Sequence, residues 1–193
     1  GFGIWYTDAD AKIEPEGYRG YLTALLSTVK EGCERYGLKR PFITLEPGRS
    51  IVGEAGITLY TVGAIKDIPG IRKYIAVDGG MFDNPRFALY QSKYTAVLAN
   101  RAAEQPTEVV TIAGKCCESG DLIGTEFNLP EARIGDIVAV LSTGAYNYSM
   151  ASNYNRNFIP AAVLVRDGRA EYIIRPQTYE DLVRNDVIPA HLK

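Results

Sequence analysis

The sequence is poor in the residues on which many enzyme and binding chemistries depend. Its one histidine, His191, lies two positions from the end of the 193-residue chain. A Ser-His-Asp or Cys-His relay needs a histidine inside a packed site, so both are excluded. The three cysteines, Cys33, Cys116 and Cys117, form no CxxC pair, and no metal site is expected. Their number is odd and two are adjacent, a spacing that rarely meets disulfide geometry, so a reducing, cytoplasmic setting is expected. An excess of one charge is missing too: 21 Lys and Arg face 23 Asp and Glu, for a net charge of −2. That balance argues against nucleic-acid partners and against a polybasic membrane patch. No apolar run approaches the roughly 18 residues needed to cross a bilayer. The opening Gly1-Phe2-Gly3-Ile4-Trp5-Tyr6 has no positive region and no signal-type core, which gives no expectation of secretion.

What the chain does have is core-forming material, with 46% hydrophobic and 23% charged residues. From Pro15 to Tyr36, apolar residues recur at Tyr18, Leu22, Leu25, Leu26, Val29, Cys33 and Tyr36. That spacing of three and four predicts one face of a helix, with Pro15 in its first turn and Gly37 as its C-terminal cap. Phe42-Ile43-Thr44-Leu45 then reads as a short buried strand. Helix, strand and a glycine-containing loop is the repeating step of a barrel or doubly wound sheet. After residue 50 the texture changes to short β-rich runs between turn signals: Ile57 to Val62, Tyr74 to Val77, Tyr94 to Leu98, Glu108 to Ala113, Asp136 to Leu141, Ile159 to Val165 and Tyr172 to Ile174. These seven runs suggest an antiparallel barrel or sandwich, with Arg166-Asp167-Gly168-Arg169 as a tight hairpin. Thr178 to Arg184 reads as a late helical turn with a Thr-x-x-Asp cap. The boundary between the two textures falls near Ser50. A single complete strand–helix–strand step cannot close a barrel, so the chain is expected to be a piece of something longer.

Four segments carry candidate chemistry. Glu46-Pro47-Gly48-Arg49 places a carboxylate, an unencumbered glycine N–H and a guanidinium after a strand, a set suited to an anionic ligand with a basic ring nitrogen. In Asp78-Gly79-Gly80-Met81-Phe82-Asp83-Asn84-Pro85-Arg86, continuing to Tyr90, Arg86 and Tyr90 share one face of a helical turn. Cys116-Cys117-Glu118-Ser119-Gly120-Asp121 sets thiols beside two carboxylates. Gly144-Ala145-Tyr146-Asn147-Tyr148 clusters aromatic hydroxyls. Taken singly, each has a plainer reading: a turn after a strand, an exposed loop, an inert buried cysteine, and tyrosines packing at a strand end.

Together and in this order, they resemble the fold-type III pyridoxal-phosphate decarboxylases. The matching pieces are GFGIWY, EPGR, DGGMFDNPRFALY, CCESGD, STGAYNYSMASNYN and QTYEDLVRND, spanning residues 1 to about 187. The resemblance implies an α+β chain. Residues 1–50 would be the last β/α steps of a (β/α)8 barrel that binds pyridoxal 5'-phosphate, and residues 51–193 a C-terminal antiparallel β-barrel domain. It implies that the family's Schiff-base lysine lies upstream, because no lysine here sits in that motif. The isolated piece would then be inactive, with an apolar helix face exposed in its first fifty residues.

The resemblance also implies roles. Gly1 would end the phosphate loop, and Gly48 and Arg49, following Pro47, would hold the phosphate or a substrate carboxylate. Glu46 would pair with the pyridine nitrogen and keep it protonated, the state in which the ring is an electron sink. Tyr146 would hydrogen-bond the cofactor or the substrate. Cys117 would be the proton donor to the carbanion left by CO2, as an ordinary thiol, with a pKa near ~8.5, is mostly protonated at neutral pH. Cys116 inherits no role. Arg86, Tyr90 and Arg49 would clamp the distal carboxylate of meso-diaminopimelate, and Glu118 would face its distal ammonium, the product being L-lysine. The family's Cys-Glu loop reaches into the partner subunit's site, which implies a homodimer with shared active sites. The alternatives are a sister decarboxylase acting on a carboxylated polyamine precursor or ornithine, and a non-catalytic homologue.

Overall fold

A computed structural model describes residues 18–192. Helix α1 (Arg19–Tyr36) forms where the apolar spacing predicts it and ends at Gly37, whose left-handed φ of 63° lets its N–H return to the Cys33 carbonyl. Pro15, proposed for the first turn, lies outside the described residues. The expected strand Phe42–Leu45 does not form; this stretch is irregular, with Phe42 95% exposed. A buried parallel strand needs neighbours on its edges, and among the described residues none pairs with it. Helix α2 (Gly48–Val52) follows.

Eight strands come next, one more than the sequence pattern suggests: β1 (Thr58–Ile68), β2 (Arg72–Val77), β3 (Ala96–Leu98), β4 (Glu108–Ala113), β5 (Leu122–Leu129), β6 (Ile137–Val140), β7 (Ala162–Arg166) and β8 (Arg169–Ile174). Helix α3 (Arg86–Tyr90) lies between β2 and β3, and α4 (Tyr179–Val183) follows β8. Six strands form one sheet in the order β3-β6-β1-β2-β4-β5. The sheet is antiparallel except for one pair: β2 and β4 run parallel, with Ile75 opposite Ile112. The antiparallel barrel expected from the sequence therefore forms with this one parallel pair in its wall. The long excursion through α3 and β3 returns the chain to β2 from the same end, which a hairpin could not do. The two edges, β3 and β5, come together around a groove of about 250 Å3 lined by Ala96 and Phe127, so the sheet curls nearly into a barrel.

The inward residues of alternate strand positions meet in one core. Along β1, Leu59 is exposed while Tyr60 and Val62 are buried, the alternation that the pleat imposes. Ile75, Leu98, Val110, Ile112, Ile123, Leu129, Val138 and Val140 complete that core. Each fully buried aliphatic side chain contributes about 1.5–3 kcal/mol over its exposed state.

Outside the barrel, β7 and β8 pair only with each other, through a turn at Asp167 (φ 51°) and Gly168 (φ 73°). The hairpin is as expected, but it stands as a separate two-stranded sheet and not as barrel wall. The late helix α4 carries the anticipated capping box between Thr178 and Asp181. No described helix is long and apolar enough to cross a membrane.

Candidate active site

The folded chain gathers the four segments into two clusters around one rim of the barrel. The first joins α2, α3 and the loop after β6. Gly144 N–H donates to the Gly53 carbonyl and Thr143 N–H to that of Gly56. A Cβ on Gly144 would overlap the Val52 carbonyl, so only glycine lets this loop seat against the end of α2. The loop then turns through Tyr146 at φ 70°. A bulky side chain in the left-handed region costs about 1–2 kcal/mol, a strain that clusters at functional sites.

That backbone aims Tyr146 at Arg86, the first residue of α3. The guanidinium carbon of Arg86 lies 5.0 Å from the Tyr146 ring centre and 4.4 Å from that of Tyr90. Two tyrosine rings thus flank one planar cation. Its Nη1 also lies 3.9 Å from the sulfur of Met150. A guanidinium stacked on aromatic rings can also meet a carboxylate in its own plane. Arg86 and Tyr90, one helical turn apart, and the distant Tyr146 are therefore brought together around one guanidinium.

Glu46, Pro47, Gly48 and Arg49 run into α2, whose start carries no side-chain cap. Nothing within 4 Å crowds a Cβ placed on Gly48. An uncrowded glycine beside Arg49 and the exposed carboxylate of Glu46 suits a group with a phosphate at one end and a basic ring nitrogen elsewhere. These residues fit pyridoxal phosphate. Gly1, expected on the same phosphate, lies outside the described residues.

The second cluster holds the thiols. Asp121, 4% exposed, accepts the Met81 N–H at Oδ1 and the Cys116 N–H at Oδ2, both at 2.6 Å. Asp83 accepts the Tyr60 hydroxyl at 2.5 Å and the Gly80 N–H at 3.1 Å. Two carboxylates are thereby tied to consecutive N–H groups of one turn, Gly80 and Met81. A Cβ on Gly114 would overlap the Asp121 carboxylate. Burial, reinforced by the charge of Asp121, pushes Asp83 up to about 6 despite the Tyr60 hydrogen bond. Burial also pushes the Cys116 thiol up to about 11, again with Asp121 adding to the effect. Cys116 therefore stays protonated and partly covered. Cys117 is exposed, with its N–H held by Asn155 Oδ1 at 2.8 Å. Glu118 accepts the Tyr154 hydroxyl at 3.3 Å.

Arg86, Tyr90 and Tyr146 are thus brought together, whereas Cys117 and Glu118 form a separate group with the Tyr154–Asn157 segment. Tyr60, Asp83, Asp121, Asn147 and Asn155 were not singled out from the sequence. Asn147 accepts the Tyr94 hydroxyl at 3.2 Å and so anchors the residue after Tyr146 inside the barrel. The available signal was position: all but Tyr60 sit inside the matching stretches, between the candidate residues.

The family described as pyridoxal-dependent decarboxylase, C-terminal sheet domain, matches residues 7–144. The chain is 54% identical over 187 residues to the diaminopimelate decarboxylase of Bacillus subtilis, covering 97% of this chain and 42% of that protein. It is 50% identical over 192 residues to the diaminopimelate decarboxylase of Synechocystis, covering 100% of this chain and 40% of that one. The crystal structure of the M. jannaschii diaminopimelate decarboxylase in complex with L-lysine superimposes with a TM-score of 0.84 at 34% identity, covering 100% of this chain and 43% of that one. The chain spans about two-fifths of the length of the curated relatives it matches.

Proposed function

The chain belongs to the pyridoxal-dependent decarboxylase family through that C-terminal sheet domain, and from this membership we propose that it is part of an enzyme converting meso-diaminopimelate to L-lysine and CO2. The observation that carries the reading is the placing of the Arg86 guanidinium over both the Tyr90 and the Tyr146 ring. A substrate with a bare distal amine would gain nothing from a planar cation at the far end of its site. One with a distal carboxylate gains a bidentate, charge-assisted pair.

Pyridoxal phosphate supplies the electron sink that stabilises the charge left when CO2 departs. The chain's own residues do the rest. Gly48 and Arg49 hold phosphate, with Arg49 also reaching a substrate carboxylate, and Glu46 keeps the ring nitrogen protonated. Arg86 and Tyr90 grip the distal carboxylate, Tyr146 orients cofactor or substrate, and Glu118 faces the distal ammonium. Cys117 holds the proton that returns to the substrate carbon. Its place in a cluster apart from Arg86 supports a homodimer in which Cys117 and Glu118 serve the partner's site. The free thiols support a cytoplasmic location.

Steady-state turnover of the full-length enzyme on meso-diaminopimelate, ornithine and arginine tests the reading, and a preference for ornithine overturns it. In the same assay Arg86→Lys should raise KM by roughly 30- to 150-fold while leaving cofactor absorbance unchanged, because it keeps charge but breaks the planar pairing, worth about 2–3 kcal/mol. Loss of cofactor at unchanged KM would instead assign Arg86 to the phosphate.

A further inference from the structure

Cys117 and Glu118 sit on an exposed loop containing Ser119 and Gly120, a composition that by itself holds no side chain still. Yet consecutive N–H groups of that loop each meet a side-chain acceptor, one from the loop's own end and one from a distant turn. Cys116 N–H binds Asp121 Oδ2 at 2.6 Å, and Cys117 N–H binds Asn155 Oδ1 at 2.8 Å. The two acceptors differ in kind. Asp121 is buried and ties the loop to the barrel through Met81. Asn155 is exposed and belongs to a turn between β6 and β7.

That turn is itself built to present the amide. Asn155 adopts φ 52° and ψ 28°, the left-handed region that asparagine enters more readily than other non-glycine residues. Asn153 Nδ2 donates to the Asn157 carbonyl at 2.8 Å and to Gln177 Oε1 at 2.6 Å, closing the turn on both sides. Ser152 N–H donates to the Phe82 carbonyl at 2.8 Å, fixing the turn to the segment that leads to Arg86. The neighbours of Asn155 touch the same loop: Tyr154 donates to Glu118, and Asn157 Nδ2 lies 3.6 Å from the Cys116 sulfur. Three residues of one turn therefore hold three successive residues of the thiol loop.

We propose that Asn155 is a positioning residue for the Cys117 thiol, holding the loop from the solvent side while Asp121 holds it from the barrel. This rests on the reading of Cys117 as proton donor. A proton donor must lie within hydrogen-bond reach of the carbon's path of approach, and an exposed loop with one anchor can pivot about it. Among the contacts from that turn, the Asn155 bond is the one made to the peptide of Cys117 itself, and it removes that pivot. Asn155 touches no substrate atom in this scheme; it acts only through the peptide of Cys117.

The experiment uses the full-length enzyme and two variants that keep the left-handed backbone. Asn155→Gly removes the acceptor, and Asn155→Asp retains it. Asn155→Gly should lower kcat about 10-fold with KM within about twofold, the scale of a displaced catalytic group. Asn155→Asp should restore most of kcat, and Asn155→Gly should add nothing to Cys117→Ala, because residues acting through one group are not additive. Site-resolved alkylation of Cys117 reads the anchoring without turnover. Its rate should change at least about threefold in Asn155→Gly and return in Asn155→Asp. Unchanged kcat and alkylation in Asn155→Gly would overturn the proposal, as would an equal loss on the wild-type and Cys117→Ala backgrounds. Should Cys117→Ala turn over like wild type, the proton-donor reading fails, and the alkylation comparison still decides whether Asn155 holds the loop.

Discussion

Where the barrel closes its apolar side chains against one another, helix α1 and hairpin β7–β8 leave theirs facing solvent. Ile112 and Val138 are fully buried, whereas Leu26 is 54% exposed, Val165 72% and Ile173 64%. All of these residues come from segments with regular apolar patterns. The difference is therefore not in local propensity but in what lies opposite. A strand's apolar face is satisfied by the strands paired and curled around it. A single amphipathic helix or an isolated hairpin needs a partner surface to reach the same state. The barrel supplies its own partners from one stretch of chain, roughly Thr58 to Val140. In this chain the flanks present faces.

The largest expected contrast is in the cost of truncation. Ile112→Ala should destabilise the 193-residue chain by about 2–5 kcal/mol, through lost burial and the cavity left behind. Leu26→Ala on α1 should stay within about 0.5 kcal/mol, as an exposed substitution removes little from the folded state. Equilibrium unfolding in denaturant measures both. A loss at Leu26 comparable to that at Ile112 would show that α1 is packed in solution and would break the comparison.

The same contrast explains which parts could be read from sequence. Helix α1, strand β4 and the Asp-Gly hairpin depend on neighbours within a few residues, and each was legible. Strand β5 was not. Gly124, Glu126 and Asn128, three poor strand formers, fill every other position, Glu126 sits at φ 61°, and its pairing with β4 shifts register twice. Its membership comes from β4 and not from its own pattern. Phe42–Leu45 fails in the opposite direction, being a good strand pattern with nothing beside it. At the site, Arg86 and Tyr90 were found because four residues make one helical turn. Their meeting with Tyr146 depends on a left-handed residue and a glycine contact, neither of which has a local signature. Asp121 and Asn155 were invisible for the same reason: each acts on a peptide N–H, and peptide groups carry no sequence.

A second contrast is electrostatic and has opposite signs in the two regions. Asp83 is buried in the barrel and pushed up to about 6. Its folded value lies above the ordinary carboxylate value, so the folded state binds the proton more tightly than the unfolded one. The contribution to stability is fully present below about pH 4 and lost as pH rises through about 6, an effect of about 2–3 kcal/mol. Asp181, in the flank, is held below the ordinary value chiefly by the Thr178 N–H. Its contribution is present above the ordinary value and lost as pH falls. Unfolding of wild type and Asp83→Asn from pH 4 to 7 should show their stability difference changing across that window. A constant difference would mean that Asp83 titrates as if exposed.

The smallest effect sharpens the comparison at the capping box of α4. Thr178 Oγ1 accepts the Asp181 N–H at 3.4 Å, while Thr178 N–H donates to Asp181 Oδ2 at 2.8 Å. These two bonds satisfy donors that a helix of five residues cannot satisfy internally. Thr178→Ala removes the first bond, and an N-cap of this kind is worth about 1 kcal/mol. In a protein whose elements all unfold together, that loss would appear in the global transition. Helix α4 has no buried residue, so little couples it to the barrel. The loss should therefore be local. Amide exchange at Tyr179 to Val183 should quicken roughly fivefold, the equivalent of that energy, while exchange in β4 and β6 stays unchanged. A matching acceleration in β4 would show that the flank and the barrel open as one unit.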